Sequence, residues 1–300
     1  MKTIRKPATM TQAMAGLRQA GASVGLVPTL GRLHEGHLSL IKKARRENDM
    51  VAVSIFVNPL QFKPKAYQAY PRDIEADKKL LNSAGVDFLF APEQENMYPK
   101  GFDSQVEVVG LAGRLEGKSI RWHYRGVTTV VAKLFNIIQP DRAYFGRKDA
   151  HQLALIRRMV ADLNFPVKII AGPTIRARDG LAHSSRNTLL TPEERMAAST
   201  IPKALLAIET RIRSGGVDRM ALTKELVTLL TTEPLITVDF AAVVDADTLD
   251  PDIFGKKTLI HVAVIIGGKR LTDNRVVASH MVAGHRVAGH RVAGHRVTSR

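Results

Sequence analysis

The chain has 300 residues, more than one average domain requires, with 45% hydrophobic and 24% charged residues, the make-up of an ordinary folded protein. It contains no cysteine, which excludes disulfides, thiol nucleophiles and thiolate metal sites and suits a reducing cytoplasm. The formal net charge of +16 admits nucleic acid as a partner, but part of it lies in the C-terminal tail and much of the rest is spread over helices, so no nucleic-acid partner is expected.

The N-terminus, Met1-Lys2-Thr3-Ile4-Arg5-Lys6, is basic but no apolar h-region follows, so it does not read as a signal peptide. The longest apolar runs, such as Val51–Val57, are too short to cross a bilayer. A cytoplasmic location without a membrane partner is expected.

Residues 11–21 read as a short helix ended by Gly21, and Val24–Val27 as the first strand. Pro28 and Gly31 then make a turn, and a helix from His37 to about Asn48 carries Leu38, Ile41 and Ala44 on one face and Lys42, Lys43, Arg45 and Arg46 on another. At that strand–turn–helix junction stands His34-x-Gly36-His37. The spacing puts both imidazoles on one side of the first helical turn, beside backbone N–H groups that lack partners and attract anions. Gly36 leaves room for a ligand to touch the backbone. A nucleoside triphosphate cradle fits these features; a pair of capping histidines or of metal ligands also fits them.

Val51–Val57 is almost wholly apolar and β-branched, as in a strand covered on both faces of a parallel sheet. Gln61 follows at its carboxyl end, where open α/β sheets bind ligands; a capping turn would look the same. Asp73–Ala84 reads as a helix, Val86–Phe90 as a strand, and residues 92–125 as irregular. Gly126–Ile138 reads as a helix stopped by Pro140, and Arg142–Phe145 as a strand. Gly146-Arg147-Lys148-Asp149 then leads into a helix over Ala150–Leu163, with a strand at Val167–Ala171. Alternating β and α predicts a doubly wound α/β domain with right-handed crossovers.

Beyond Pro173 the pattern changes. His183-Ser184-Ser185-Arg186-Asn187 places two hydroxyls and a guanidinium in a row, equipment suited to phosphate oxygens and equally to a helix N-cap region. Helices near 192–214 and 217–231 and strands near 236–244 and 258–266 make a small α+β region with no chemistry-bearing cluster of its own. Val-Ala-Gly-His-Arg repeats three times between 282 and 296; this period matches neither helix nor strand, so a disordered tail is expected.

Taken together, His34-x-Gly36-His37, Gly146-Arg-Lys148-Asp149-x-x-Gln152 and His183-Ser-Ser-Arg-Asn187 resemble the nucleotidylyltransferase superfamily. The text between them narrows the likeness. Val27-Pro-Thr-Leu-Gly31, His34-Glu-Gly-His-Leu-Ser-Leu40, Ser54-Ile-Phe-Val-Asn-Pro-Leu-Gln-Phe62, Tyr70-Pro-Arg72, Arg125-Gly-Val-Thr-Thr-Val-Val-Ala-Lys-Leu-Phe135, Asp245-Ala-Asp-Thr-Leu249 and Arg270-Leu-Thr-Asp-Asn274 resemble the pantoate–β-alanine ligase (pantothenate synthetase) family. The likeness runs from about residue 3 to about residue 278.

The resemblance implies a Rossmann-like catalytic domain over residues 1–174, a smaller α+β lid domain over 175–280, and the tail at 281–300 outside the family pattern. It implies an AMP-forming ligase of the route to pantothenate and coenzyme A. Pantoate would attack the α-phosphorus of ATP to give pantoyl adenylate and pyrophosphate, and the amine of β-alanine would then displace AMP. It carries the catalytic roles to His34, His37, Lys148 and Arg186, with His37 as proton donor. ATP contacts fall to Leu30, Gly31, His34, Gly36, His37, Gly146, Arg147, Lys148, Asp149, Ile175, His183, Ser184, Ser185 and Arg186. Gln61 and Gln152 would hold pantoate, with Gln61 also near β-alanine. Mg²⁺ would ride with the triphosphate, reached by Asp77 through water, and the chain would form a homodimer.

Several positions depart from the family pattern. Arg147 stands where Glu is usual, Ala150 and His151 where aromatic or Gln residues are usual, and His183 where Met is usual. Lys63–Ala69 lacks the usual acidic pair. Arg147 is therefore expected to add positive charge beside the phosphates.

Overall fold

The computed structural model describes residues 1–215, 218–252 and 256–278; the repeat tail lies outside them. Short runs dominated by apolar and β-branched residues form six strands: β1 (Lys2–Ile4), β2 (Val24–Thr29), β3 (Met50–Ile55), β4 (Phe88–Phe90), β5 (Arg142–Gly146) and β6 (Lys168–Gly172). They pair in the order β1-β4-β3-β2-β5-β6, every pair parallel. Helices cover both faces, which is why β2 and β3 carry no polar alternation. One face receives α1 (Pro7–Gln19) through Met10 and Met14, together with α4 (Gly117–Ile138) and α5 (Ala150–Asp162). The other receives α2 (Glu35–Glu47) through Leu40, Ile41 and Ala44, with Leu81 of α3 (Ile74–Ser83). Strand order reverses at β2, with β3 on one side and β5 on the other. The carboxyl ends of β2 and β5 therefore open a crevice of the kind in which doubly wound sheets bind ligands.

The second sheet is antiparallel, in the order β7 (Thr237–Asp245), β8 (Lys257–Ile266), β9 (Lys269–Ala278). Helices α6 (Thr200–Arg213) and α7 (Arg219–Thr231) pack on one face of it through Leu205, Ile208, Leu222 and Leu226. Gly267 and Gly268, at φ +52 and +75, join β8 to β9. A two-residue hairpin needs positive φ at both positions, and glycine adopts it without strain. A separate apolar cluster joins the two sheets, with Leu111, Tyr124 and Leu155 against Val244, Leu249 and Leu259. No helix among the described residues is long and apolar enough to cross a membrane.

Four expectations need correction. Helix α1 begins at Pro7, not at residue 11; proline suits the first helical turn, but Lys6 offers no side-chain cap to announce it. The region 92–125, expected to be irregular, contains the first turns of α4, which starts at Gly117 and passes a kink at Ile120. The helix expected over 192–214 is broken at Ser199 into Pro192–Ala198 and α6. Strand β9 was not expected at all.

Candidate active site

The loop after β2 is set before any ligand arrives. Gly31 and Arg32 both adopt positive φ, +84 and +51. The buried Asp77 carboxylate of α3 accepts the N–H groups of Arg32 at 2.9 Å and Leu33 at 2.8 Å. Thr29 Oγ1 accepts from Gly31 N at 3.2 Å and donates to Ser54 O at 2.8 Å. Asp77 thus fixes the loop from behind and does not line the cleft. Any water-mediated role toward a cation would use the lone pairs that these two bonds leave.

His34 is the N-cap of α2. Its Nδ1 accepts from Gly36 N at 3.1 Å, and Nδ1 of His37 accepts from His34 N at 3.4 Å. Each neutral ring therefore carries its proton on Nε2, the nitrogen left to donate. The rings lie 4.1 Å apart between centroids. Burial, then the neighbouring His34, pushes the His37 pKa down to about 4. Burial, then the charges of His183 and Lys148, also lowers that of His34. Gly36, which lines the cleft, has a second reason beside ligand access: a Cβ there would lie 2.9 Å from Cε1 of His34. Its absence lets the His34 ring fold over the helix end.

The turn after β3 is held from inside. Buried Asn58 donates through Nδ2 to Gly126 O at 2.9 Å and to Gln61 Oε1 at 3.0 Å, and its Oδ1 accepts from Tyr98 at 2.8 Å. With its Oε1 engaged, Gln61 keeps its NH₂ group as a donor toward the cleft. The His123 ring contacts Gln61 O through Nδ1 at 2.8 Å. Val127, Val130, Val131 and Leu134 of α4 supply an apolar wall.

Lys148, from the loop after β5, reaches Thr272 Oγ1 of β9 at 3.4 Å. In the third segment Ser184 Oγ accepts from Arg186 N at 3.3 Å, and Arg186 Nη1 donates to Arg270 O at 2.8 Å. Leu30, Gly31, His34, Gly36, His37, Gln61, Gly146, Lys148, Asp149, Gln152, Ile175, His183, Ser184, Ser185 and Arg186 all line one cleft of about 410 Å³. Segments far apart in the sequence meet there.

Arg147 is the exception. It is exposed and does not line the cleft, so the charge expected beside the phosphates points elsewhere; its backbone N–H is tied to Gly172 O at 3.0 Å. His151 is buried, bonded through Nε2 to Leu111 O at 2.9 Å, with its ring 4.2 Å from that of Tyr124. Tyr70, His123 and Thr272 line the cleft and were not singled out from sequence. Tyr70 and Thr272 lie inside motifs already quoted, whereas His123 fell in the stretch read as irregular.

A parallel doubly wound sheet, an HxGH turn after β2 and a serine–arginine loop facing it define an α/β protein with one polar, cation-bearing cleft at the carboxyl ends of its strands. The family model for pantoate–β-alanine ligase matches residues 2–276. A pantothenate synthetase of Sinorhizobium medicae is 50% identical over 281 residues, covering 93% of this chain and 97% of the relative. One from Moorella thermoacetica is 50% identical over 283 residues, covering 92% and 99%. The crystal structure of the Thermus thermophilus enzyme superposes with a TM-score of 0.85 at 45% identity, covering 92% and 99%. That of the Francisella tularensis ligase, complexed with β-γ ATP and β-alanine, superposes with a TM-score of 0.73 at 35% identity, covering 92% and 97%. The chain belongs to the pantoate–β-alanine ligase family.

Proposed function

We propose that the cleft joins pantoate to β-alanine at the expense of ATP, in two steps. A pantoate carboxylate oxygen attacks the α-phosphorus and the bond to the β-phosphate oxygen breaks, giving pantoyl adenylate and pyrophosphate. The β-alanine amine then attacks the acyl carbon, the acyl–oxygen bond breaks, the nitrogen gives up a proton, and AMP leaves with pantothenate. The observation that carries this reading is the convergence of the histidine turn, Lys148 and the Ser184–Arg186 loop on one cleft beside the Gln61 amide.

The chemistry asks for positioning and charge neutralisation at phosphorus, with little covalent work by protein groups. In this reading Nε2 of His34 and His37, Lys148, Arg186 and the hydroxyls of Ser184 and Ser185 meet the phosphates. His37, neutral in the free protein and protonated beside the bound triphosphate, donates a proton as charge develops on the leaving group. The backbone at Leu30, Gly31, Gly36 and Gly146, with Asp149, Ile175 and His183, surrounds the rest of the nucleotide. The free NH₂ of Gln61, with Gln152, holds the pantoate carboxylate and hydroxyls, and Gln61 also faces β-alanine. Catalytic groups come from both sides of a division proposed between Thr174 and Ile175, so closure of the second part would exclude water from the adenylate.

Mg²⁺ belongs to the same proposal. Among the described residues no group of three or more His, Asp or Glu could hold a metal. The ion would be carried mainly by phosphate oxygens and water and, when bound, would neutralise charge on the triphosphate; Asp77, engaged by the Arg32 and Leu33 N–H groups behind the cleft, would reach it only through water. A homodimer in the cytoplasm is proposed on the family resemblance.

The test is AMP formation from ATP with pantoate and β-alanine omitted in turn, alongside exchange of labelled pyrophosphate into ATP. The proposal expects exchange that needs pantoate and not β-alanine, and AMP release that needs both. Exchange driven by a different acid, or use of CTP instead of ATP, would overturn it.

A further inference from the structure

Strand β9 touches the cleft in a way that the sequence motifs do not express. Residues at spacing two share a face of a strand, and on β9 the face of Arg270, Thr272 and Asn274 meets the cation-bearing loops. Arg270 O accepts from Arg186 Nη1 at 2.8 Å, and Thr272 Oγ1 lies 3.4 Å from Lys148 Nζ. Asn274 Nδ2 donates to Lys148 O at 2.5 Å. The opposite face carries Leu271 and Val277 into the core under α6. Both cations proposed to face the triphosphate are therefore set by a single strand, although Lys148 comes from the loop after β5 and Arg186 from the segment after β6.

An ion pair adds to the apolar cluster and the Asn274–Lys148 bond in holding β9 against the first part of the chain. Glu116, which precedes α4, is nearly buried and accepts from Arg270 Nη2 at 2.8 Å through Oε2. Its Oε1 accepts from Tyr124 of α4 at 2.7 Å and lies 3.8 Å from His261 Nε2, on the β8 residue paired with Asn274. Arg270 shares its guanidinium with Asp239 of β7 through Nε at 2.7 Å. Burial opposes the charge on Glu116, but the Tyr124 hydroxyl and the Arg270 guanidinium that it binds outweigh it and hold the carboxyl below its ordinary range.

We propose that Glu116 is a positioning residue for nucleotide binding: through Arg270 it holds β9 in the place from which the Arg270 carbonyl orients Arg186. It touches no substrate. Its removal leaves the Arg270 guanidinium with Asp239 as its one remaining carboxylate among the described residues, and loosens, within a strand still paired to β8, the carbonyl to which Arg186 donates. The inference rests on the assignment of Arg186 to the triphosphate, and predicts a selective loss of affinity for ATP.

The experiment compares the unsubstituted protein with Glu116→Gln, Glu116→Asp and Arg270→Lys. ATP dissociation constants come from calorimetry without pantoate, KM for pantoate from pyrophosphate exchange, and thermal midpoints from scanning calorimetry. Glu116→Gln is expected to weaken ATP about tenfold, the loss of roughly one charge-assisted hydrogen bond, with KM for pantoate little changed. Glu116→Asp keeps the charge and is expected to recover part of that loss. Arg270→Lys keeps the charge but loses the two-carboxylate fork, and is expected to fall between. Unchanged ATP affinity in Glu116→Gln, or equal weakening of ATP and pantoate with a lowered midpoint, would overturn the inference. Should Glu116→Gln fail to fold, Arg270→Lys alone decides by the same comparison. A parent that binds ATP but does not activate pantoate defeats the proposed reaction and leaves the ATP measurement able to judge Glu116.

Discussion

Gly126 is where helix α4 comes closest to the turn that presents Gln61. A Cβ on Gly126 would stand 2.5 Å from the carbonyl carbon of Leu60 and 2.9 Å from Gln61 N, and closer still to the Leu60 oxygen. Ordinary van der Waals contact begins near 3.4 Å, so Gly126→Ala forces backbone against backbone apart by about 1 Å, with no flexible side chain to absorb it. The same carbonyl of Gly126 receives Asn58 Nδ2, which also holds Gln61 Oε1; turn and amide therefore move together. A displacement of about 1 Å at a substrate-positioning group costs roughly 10²-fold in rate, or about 2.7 kcal/mol of transition-state stabilisation. The assay is pantoate-dependent pyrophosphate exchange, with ATP affinity measured separately. The expected result is a raised KM for pantoate and a lowered kcat, with ATP affinity retained. Stability gives an independent sign: helix propensity alone would favour alanine by up to about 1 kcal/mol, whereas the clash lowers the unfolding free energy by about 1–3 kcal/mol. A Gly126→Ala protein at least as stable as its parent, with parental pantoate kinetics, would refute the reasoning.

Three further outcomes are expected. His37, with its pKa near 4 in the free protein, is neutral at pH 7; triphosphate charge beside it favours the cation, so ATP binding between about pH 5 and 7 takes up protons. Calorimetry in buffers of different ionisation enthalpy would show this as a buffer-dependent heat, and identical heats would contradict it. Burial holds His151 at about 4 against its ordinary 6.5, so the unfolded chain binds the proton first as pH falls. Stability is therefore full above about pH 6.5 and declines toward pH 4, by at most about 3 kcal/mol. His151→Gln flattens the slope of urea-unfolding free energy against pH by about one proton, and an unchanged slope would refute the assignment. Arg147→Glu, at an exposed position outside the cleft, leaves KM for ATP within about twofold at physiological salt, and a tenfold change in pyrophosphate inhibition would show that the loop swings inward.

Local features of the chain were readable where one segment contains its own signal. The alternation of β and α, the HxGH turn and the Ser184-Ser185-Arg186 run needed only their neighbours to be understood, and the two motifs line the cleft. Strand β9 was not readable for a physical reason. Arg270, Thr272 and Asn274 face protein rather than solvent, so the strand mixes charged and apolar residues on both faces and shows no amphipathic period. Helix α4 was misjudged at its start because Gly117 has no side-chain cap before it. Arg147 was misplaced because neighbours in sequence do not share a direction: Lys148 lines the cleft while the adjacent Arg147 stays in solvent. At Gly36 the sequence shows room for a ligand, but the second demand on its smallness, the close His34 ring, is a contact that only three-dimensional packing reveals.

The two-glycine hairpin between β8 and β9 has a consequence for how this enzyme family member can fail. A side chain that forbade the left-handed backbone at Gly267 or Gly268 would invite the returning strand to slip by one residue, and a slip of one turns every side chain to the opposite face. Arg270, Thr272 and Asn274 would swing away in unison, and Lys148 and Arg186 would lose their supports at one stroke. Damage at this remote bend would therefore resemble a lesion at the reacting centre, arriving whole instead of by degrees.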